Sequence, residues 1–203
     1  FVGRDVLEKL LATADPTWRT ILALARLGGL RCPSEVLSIE WRHVDWERSQ
    51  LIVPSPKTDR YDGKGSRTIP LFADLRPYLD EAFELATSSQ THVVGGGHLA
   101  KAQARNGWKS CNLRTTFGKL VKRAGLEPWP RLFHNLRSSR ETELLEDFPV
   151  HVVAGWMGHD PKVSLKHYAQ TTVEHFERAI GGAKSGAAEN RKPSQGTEGR
   201  VRK

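Results

Sequence analysis

The chain has 203 residues, 38% hydrophobic and 27% charged, with a net charge of +8. That is one domain, or one with a small appendage, long enough to bury its own core and too mixed in composition for a disordered chain or a coiled coil. Two cysteines without a CxxC motif, Cys32 and Cys111, argue against a disulfide framework or a cysteine zinc site, and no apolar run approaches membrane-spanning length.

A start at Phe1, without Met or a signal-like segment, reads as a fragment of an intracellular, cytoplasmic protein cut at a domain boundary. Asp15-Pro16 pairs an N-cap with a first-turn proline, and Trp18, Ile21, Leu22 and Ala25 follow at amphipathic helical spacing until Gly28-Gly29. Pro33 restarts a helix carrying Val36, Leu37 and Trp41. Leu51-Ile52-Val53 and Thr68-Ile69-Pro70-Leu71 are short β runs. The polar loop between them, with Gly63 and Gly65, is too long for a tight hairpin and predicts a mobile tip. Asp74 is expected to cap a helix bearing Leu75, Tyr78, Leu79, Ala82 and Phe83. Residues 87–111 are glycine-rich, polar and without a regular pattern. Asn112 is expected to cap a helix with Phe117, Leu120 and Val121, stopped by Gly125. After Pro128 and Pro130, helices are predicted over 132–146 and 150–157, the second ended by Gly158, then shorter ones over 164–169 and 173–180. From Gly181 onward a single Val is the only large apolar residue, so 181–203 reads as a disordered basic tail behind a folded 1–180. The fold class is mainly α with a small antiparallel β-sheet.

Charge is unevenly spread. Residues 1–100 hold 12 basic and 13 acidic side chains, whereas residues 101–140 hold 10 basic and one acidic, Glu127. A window of +9 inside a folded region is either a solvated helix face or the footprint of a polyanion binder. Several charged residues also sit where helices begin or end. Arg31 follows Gly28-Gly29-Leu30, Lys57 opens the long loop, His134 and Arg137 share one helical face, His159 follows Gly158, and Tyr168 lies on a short helix. Singly, each also fits a surface charge, a carbonyl cap or a core tyrosine. His151, His159, His167 and His175 recur every eight residues, which is no metal-binding spacing.

Together, in this order, these residues resemble the catalytic domain of the tyrosine recombinase (phage integrase) family. The resemblance covers roughly residues 1–180. It is carried by LGGLRCPSEVLSIEW from Leu27, VPSPKTDRYDGKGSRTIPL from Val53, FHNLRSSRETEL from Phe133 and GWMGHDPKVSLKHYA from Gly155. It implies that Tyr168 is the nucleophile, that Arg31 and Arg137 clamp the scissile phosphate, and that His134 is a general acid/base. By the same resemblance His159 hydrogen-bonds the phosphate and Lys57 protonates the departing 5′-oxygen, with Lys64 in the same loop as a rival. Two departures stand out: Ser138-Ser139 replace the family's His-Thr, and Glu35 lies four residues after Arg31 rather than three. The family's N-terminal DNA-clamping domain has no counterpart in this chain.

The implied function is site-specific DNA recombination or integration through a 3′-phosphotyrosine. The alternatives are a non-catalytic DNA-binding module on the same fold and a type IB topoisomerase-like relaxing enzyme. No cofactor or metal is expected, because two guanidiniums can neutralise the phosphate themselves. The expected partner is double-stranded DNA, bound as a homotetramer, with a monomer in its absence and no membrane association.

Overall fold

The Asp15-Pro16 start behaves as its chemistry dictates. In the computed structural model, which describes residues 1–55, 65–104, 111–163 and 180, the Asp15 carboxylate accepts the Trp18 amide at 2.9 Å and helix α2 runs Pro16–Arg26. Ile21, Leu22 and Leu24 are fully buried along it. Helix α1 (Arg4–Thr13) packs on α2 and buries Leu7, Leu10 and Leu11. On its other sides α2 meets α4 (Arg76–Glu84) and α7 (Leu132–Asp147).

Helix α3 (Ser34–Ser38) is shorter than the sequence pattern predicts. The chain turns extended at Ile39, and Trp41 falls in a separate 3-10 turn, Trp41–His43, closed by a reciprocal Glu40–His43 capping box. The sheet is antiparallel in the order β1 (Val44–Asp45), β2 (Gln50–Pro54), β3 (Ser66–Pro70). Its register sets Leu51 opposite Ile69 and Val53 opposite Arg67. Leu51, Val53 and Ile69 are buried and Ile52 is exposed, the alternation a one-faced sheet requires. The expected mobile tip of this hairpin lies outside the described residues.

Asp74 is not the cap of α4. Its carboxylate is taken by Arg4 at 2.8 Å and by Arg140 at 3.2 Å, and α4 begins two residues later. Leu75 and Leu79 go into the core, whereas Phe83 stays half exposed, edge-on to Trp41 and Trp46. In the pattern-free stretch a short helix, α5 (His98–Gln103), follows the left-handed Gly97. Asn112 precedes α6 (Leu113–Arg123), but in a left-handed conformation and without a side-chain cap. Phe117 of α6 joins Phe133 and Trp18 in an aromatic cluster at 4.7 and 6.2 Å. Helix α8 (Val150–Met157) packs on α7 and β3 and ends at Gly158 in the left-handed region, as its sequence predicts. Residues 161–163 open a further helical turn.

The result is a mainly helical fold with a small three-stranded sheet, the class predicted from the pattern. The chain divides into a unit Phe1–Ala169, to which all these elements belong, and a second unit Gln170–Lys203, of which only Ile180 is described. The expected helices at 164–169 and 173–180, Ile180 apart, and the tail 181–203 lie outside the described residues. Among the described residues no helix is long and apolar enough to cross a membrane.

Candidate active site

The last carbonyls of a helix have no intrahelical partner and carry its negative dipole end. In α8 the Ala154 and Gly155 carbonyls are taken by the Gly158 amide, which leaves those of Trp156, Met157 and Gly158. Three arginines from distant parts of the chain fill them. Arg67 of β3 donates Nε–H to Trp156 at 2.6 Å, Arg137 of α7 donates Nη2–H to Met157 at 2.5 Å, and Arg31 donates Nη2–H to Gly158 at 3.0 Å. Arg137 also donates Nη1–H to the Gly29 carbonyl at 2.5 Å. Gly29 has φ +67°, a conformation that favours glycine, and a Cβ there would press on the Met157 methyl at 2.6 Å, so glycine suits the close approach of this turn to α8.

Glu35 lies beneath this cluster, 1% exposed. Its carboxylate accepts both Nη groups of Arg67 at 2.8 Å, the Arg31 amide at 2.8 Å and Arg31 Nη1 at 2.5 Å, with Arg137 Nη1 3.8 Å away. Burial alone would raise its pKa. The hydrogen bonds and charge of Arg67, with the charges of Arg137 and Arg31, outweigh burial and hold it at about 2. Burial and the like charge of Arg31 bring Arg137 down to about 10, still protonated at neutral pH. Three guanidiniums share one carboxylate, so the cluster keeps excess positive charge. Arg137 faces the interior and Arg31 is partly open to solvent.

His134 and Arg137 lie on one stripe of α7, as their spacing predicts. His134 is exposed and lines a cavity of about 510 Å³ with Cys32, Pro33, Arg114 and Arg131. Partial burial and the charges of Arg131 and Arg137 push its pKa down, which leaves a neutral ring able to accept a proton. His159 follows the α8 cap, and its Nε2 lies 2.8 Å from Glu141 Oε1. The structure thus brings Arg31, Arg137, His134 and His159 to one region. Lys57, Lys64 and Tyr168 lie outside the described residues.

Two members of this cluster escape sequence reasoning. Arg67 and Glu141 carry no local motif, and only the strand register and the α7–α8 packing disclose them. The basic window is also split. Arg137 and Arg140 are interior, whereas Lys101, Arg114, Lys119, Lys122, Arg123 and Arg131 are exposed.

Gly158 offers a direct test of the arginine-capped helix end. It holds φ +70°, and a Cβ there would lie 3.0 Å from Arg67 Cδ. Gly158→Ala is expected to lower stability by about 1–2 kcal/mol from the left-handed backbone alone. Displacement of Arg67 from Trp156 and Glu35 should add to that. Urea denaturation measures it; an unchanged midpoint would show that Arg67 does not depend on this close approach.

Comparison with known proteins agrees with the fold. The profile of the phage integrase family matches residues 1–175, and the chain belongs to that family, the tyrosine recombinases. Tyrosine recombinase XerA of Pyrococcus horikoshii is 28% identical, covering 89% of this chain and 60% of the relative. A XerC-like tyrosine recombinase of Caldanaerobacter subterraneus is 28% identical over 70% of this chain and 42% of its own length. The chain therefore spans about half the length of these curated relatives. In fold it is similar to the XerA recombinase crystal structure, with a TM-score of 0.70 at 16% identity, covering 91% of this chain and 65% of that one. It is also similar to the catalytic domain of bacteriophage HP1 integrase, with a TM-score of 0.58 at 20% identity, covering 96% and 98%. A third similar structure is the Tn1549 transposon integrase in complex with circular intermediate DNA, with a TM-score of 0.59 at 18% identity over 88% of this chain and 64% of that one.

Proposed function

We propose that this chain is the catalytic domain of a site-specific DNA strand transferase that cuts and rejoins duplex DNA through a covalent phosphotyrosine. The observation that carries this reading is the convergence of Arg31 and Arg137 on one buried carboxylate beside His159, in a chain of this family. A surplus of fixed guanidinium charge, set into a largely buried cluster, is what a pentacoordinate phosphate requires.

In the proposed step Tyr168 Oη attacks phosphorus and its proton passes to the neutral ring of His134. The bond from phosphorus to the 5′-oxygen breaks, and Lys57 gives that oxygen a proton. The products are a 3′-phosphotyrosine and a free 5′-hydroxyl. Forming a phenolate at neutral pH from a group of pKa near 10 costs about 4 kcal/mol, which adjacent guanidiniums reduce. Because the covalent ester keeps the bond energy, a 5′-hydroxyl from a second strand can reverse the step without ATP. The exposed bases of α6, with Lys101 and Arg131, supply sequence-independent attraction to the DNA backbone. Strand exchange between two duplexes calls for four copies on DNA.

The test is a covalent adduct on a nicked suicide duplex, mapped by peptide sequencing. The expected result is an adduct at Tyr168 that persists in excess EDTA. An adduct at another residue, or one that chelation abolishes, would overturn the reading. Lys57→Ala and Lys64→Ala, assayed with a 5′-bridging phosphorothiolate, identify the proton donor, because a thiolate leaving group needs none.

A further inference from the structure

Glu141 lies in the run RETELLED, where alternating charge suggests a solvated helix face. It is instead fully buried. His134, Arg137 and Glu141 stand at i, i+3 and i+7, so they form one stripe of α7 directed at the site. The Glu141 charge acts on both His134 and Arg137, and its Oε1 is the atom bonded to His159 Nε2 at 2.8 Å. Its second oxygen, Oε2, is buried and has no hydrogen-bond partner among the described residues. A side chain kept for stability alone would have both oxygens satisfied, because an unpaired buried acceptor is destabilising.

We propose that Glu141 is a positioning residue that fixes the ring orientation and the protonated nitrogen of His159 ahead of substrate. A carboxylate only accepts, so the shared proton resides on Nε2. A bond from the ring Nε2–H to a carboxylate on a rigid helix favours one ring orientation and one tautomer. The functional part of the inference rests on the reading of His159 as a phosphate-binding group.

The test has two arms on the full chain. In the first, nitrogen-15 spectra of the His159 ring without DNA report which nitrogen holds the proton. The wild type is expected to show it on Nε2, and Glu141→Gln to redistribute it. A wild-type ring protonated on Nδ1 alone would overturn the proposal, whether or not any variant folds. In the second, adduct formation is followed in a single turnover at saturating nicked DNA. Glu141→Gln is expected to slow it about 100-fold, the lower end of what losing one well-placed hydrogen-bond donor to a transition-state oxygen costs, with DNA affinity near that of wild type. In a His159→Ala background the same substitution should have no further effect. A rate equal to wild type, or equal slowing in both backgrounds, would sink the proposal. If the wild type itself makes no adduct, the strand-transferase reading fails, while the ring spectrum still decides what Glu141 does to His159.

Discussion

Glu35→Ala is expected to be among the most destabilising single substitutions in this chain, at about 3–5 kcal/mol. The carboxylate accepts four hydrogen bonds from Arg31 and Arg67 and sits 3.8 Å from Arg137. Its removal leaves three guanidiniums without their shared counter-charge, and the Arg67 and Arg137 side chains are only 10% and 4% exposed. Against a typical total of about 5–15 kcal/mol, that loss removes a large share of the stability and shifts the urea midpoint strongly downward. Glu35→Gln keeps the volume but turns an amide donor toward the arginine donors, so a substantial loss is expected there too. Urea denaturation decides the matter, and a loss under about 1 kcal/mol would mean the arginines are held by the α8 carbonyls alone. A double replacement of Glu35 and Arg67 by apolar residues should recover part of the stability, because it removes buried charge of both signs.

The same carboxylate sets an acid limb. Its folded pKa of about 2 lies below the ordinary value of 4.5, so its contribution is present above pH 4.5 and is lost as pH falls toward 2. The shift corresponds to about 3 kcal/mol. Glu81 and Glu143 are also held low by their arginines and act in the same direction. The part that Glu35→Gln abolishes between pH 4.5 and 2 is therefore the share of Glu35.

What could be read from the sequence follows the range of the interactions involved. Helix α2 was legible because cap, proline and apolar spacing all lie within eleven residues. Leu7, Leu10 and Leu11 carry an equally local spacing for α1, but Gly3 makes no side-chain cap and no proline marks the start. Asp74 misleads, because a good capping residue also makes a good salt-bridge partner, and Arg4 and Arg140 are tertiary neighbours. In the site, Arg31, His134, Arg137 and His159 were recognisable through order and spacing. Glu35 was visible only as an irregular spacing after Arg31, although it is the electrostatic centre of the cluster. Arg67 had no local signal at all. Its role comes from facing inward on β3 in the register that sets it opposite Val53, which brings its fork onto Glu35 and the Trp156 carbonyl.

Tyr168→Phe and Arg137→Ala should separate chemistry from binding. The first removes a single oxygen and almost no volume, so fold and DNA affinity should match wild type. Covalent capture on a nicked duplex should fall below detection, since the proposed nucleophile is the phenol oxygen itself. On the proposed reading, Arg137→Ala removes charge that would act on the bound phosphate and on the transition state alike. It should weaken DNA binding and also slow adduct formation by about 10²–10³-fold at saturating DNA. It also deletes the bridge from Gly29 to Met157, which ties the turn before Arg31 to the end of α8. A drop in thermal midpoint should therefore accompany the kinetic loss. Arg137→Lys supplies charge without a planar fork, and one ammonium cannot reproduce a guanidinium's span of both carbonyls. It should recover part of the DNA affinity and little of the rate. Filter binding beside single-turnover capture reads both quantities. An adduct from Tyr168→Phe would dismiss the nucleophile, and full activity in Arg137→Lys would show that charge alone, not the fork, serves the phosphate.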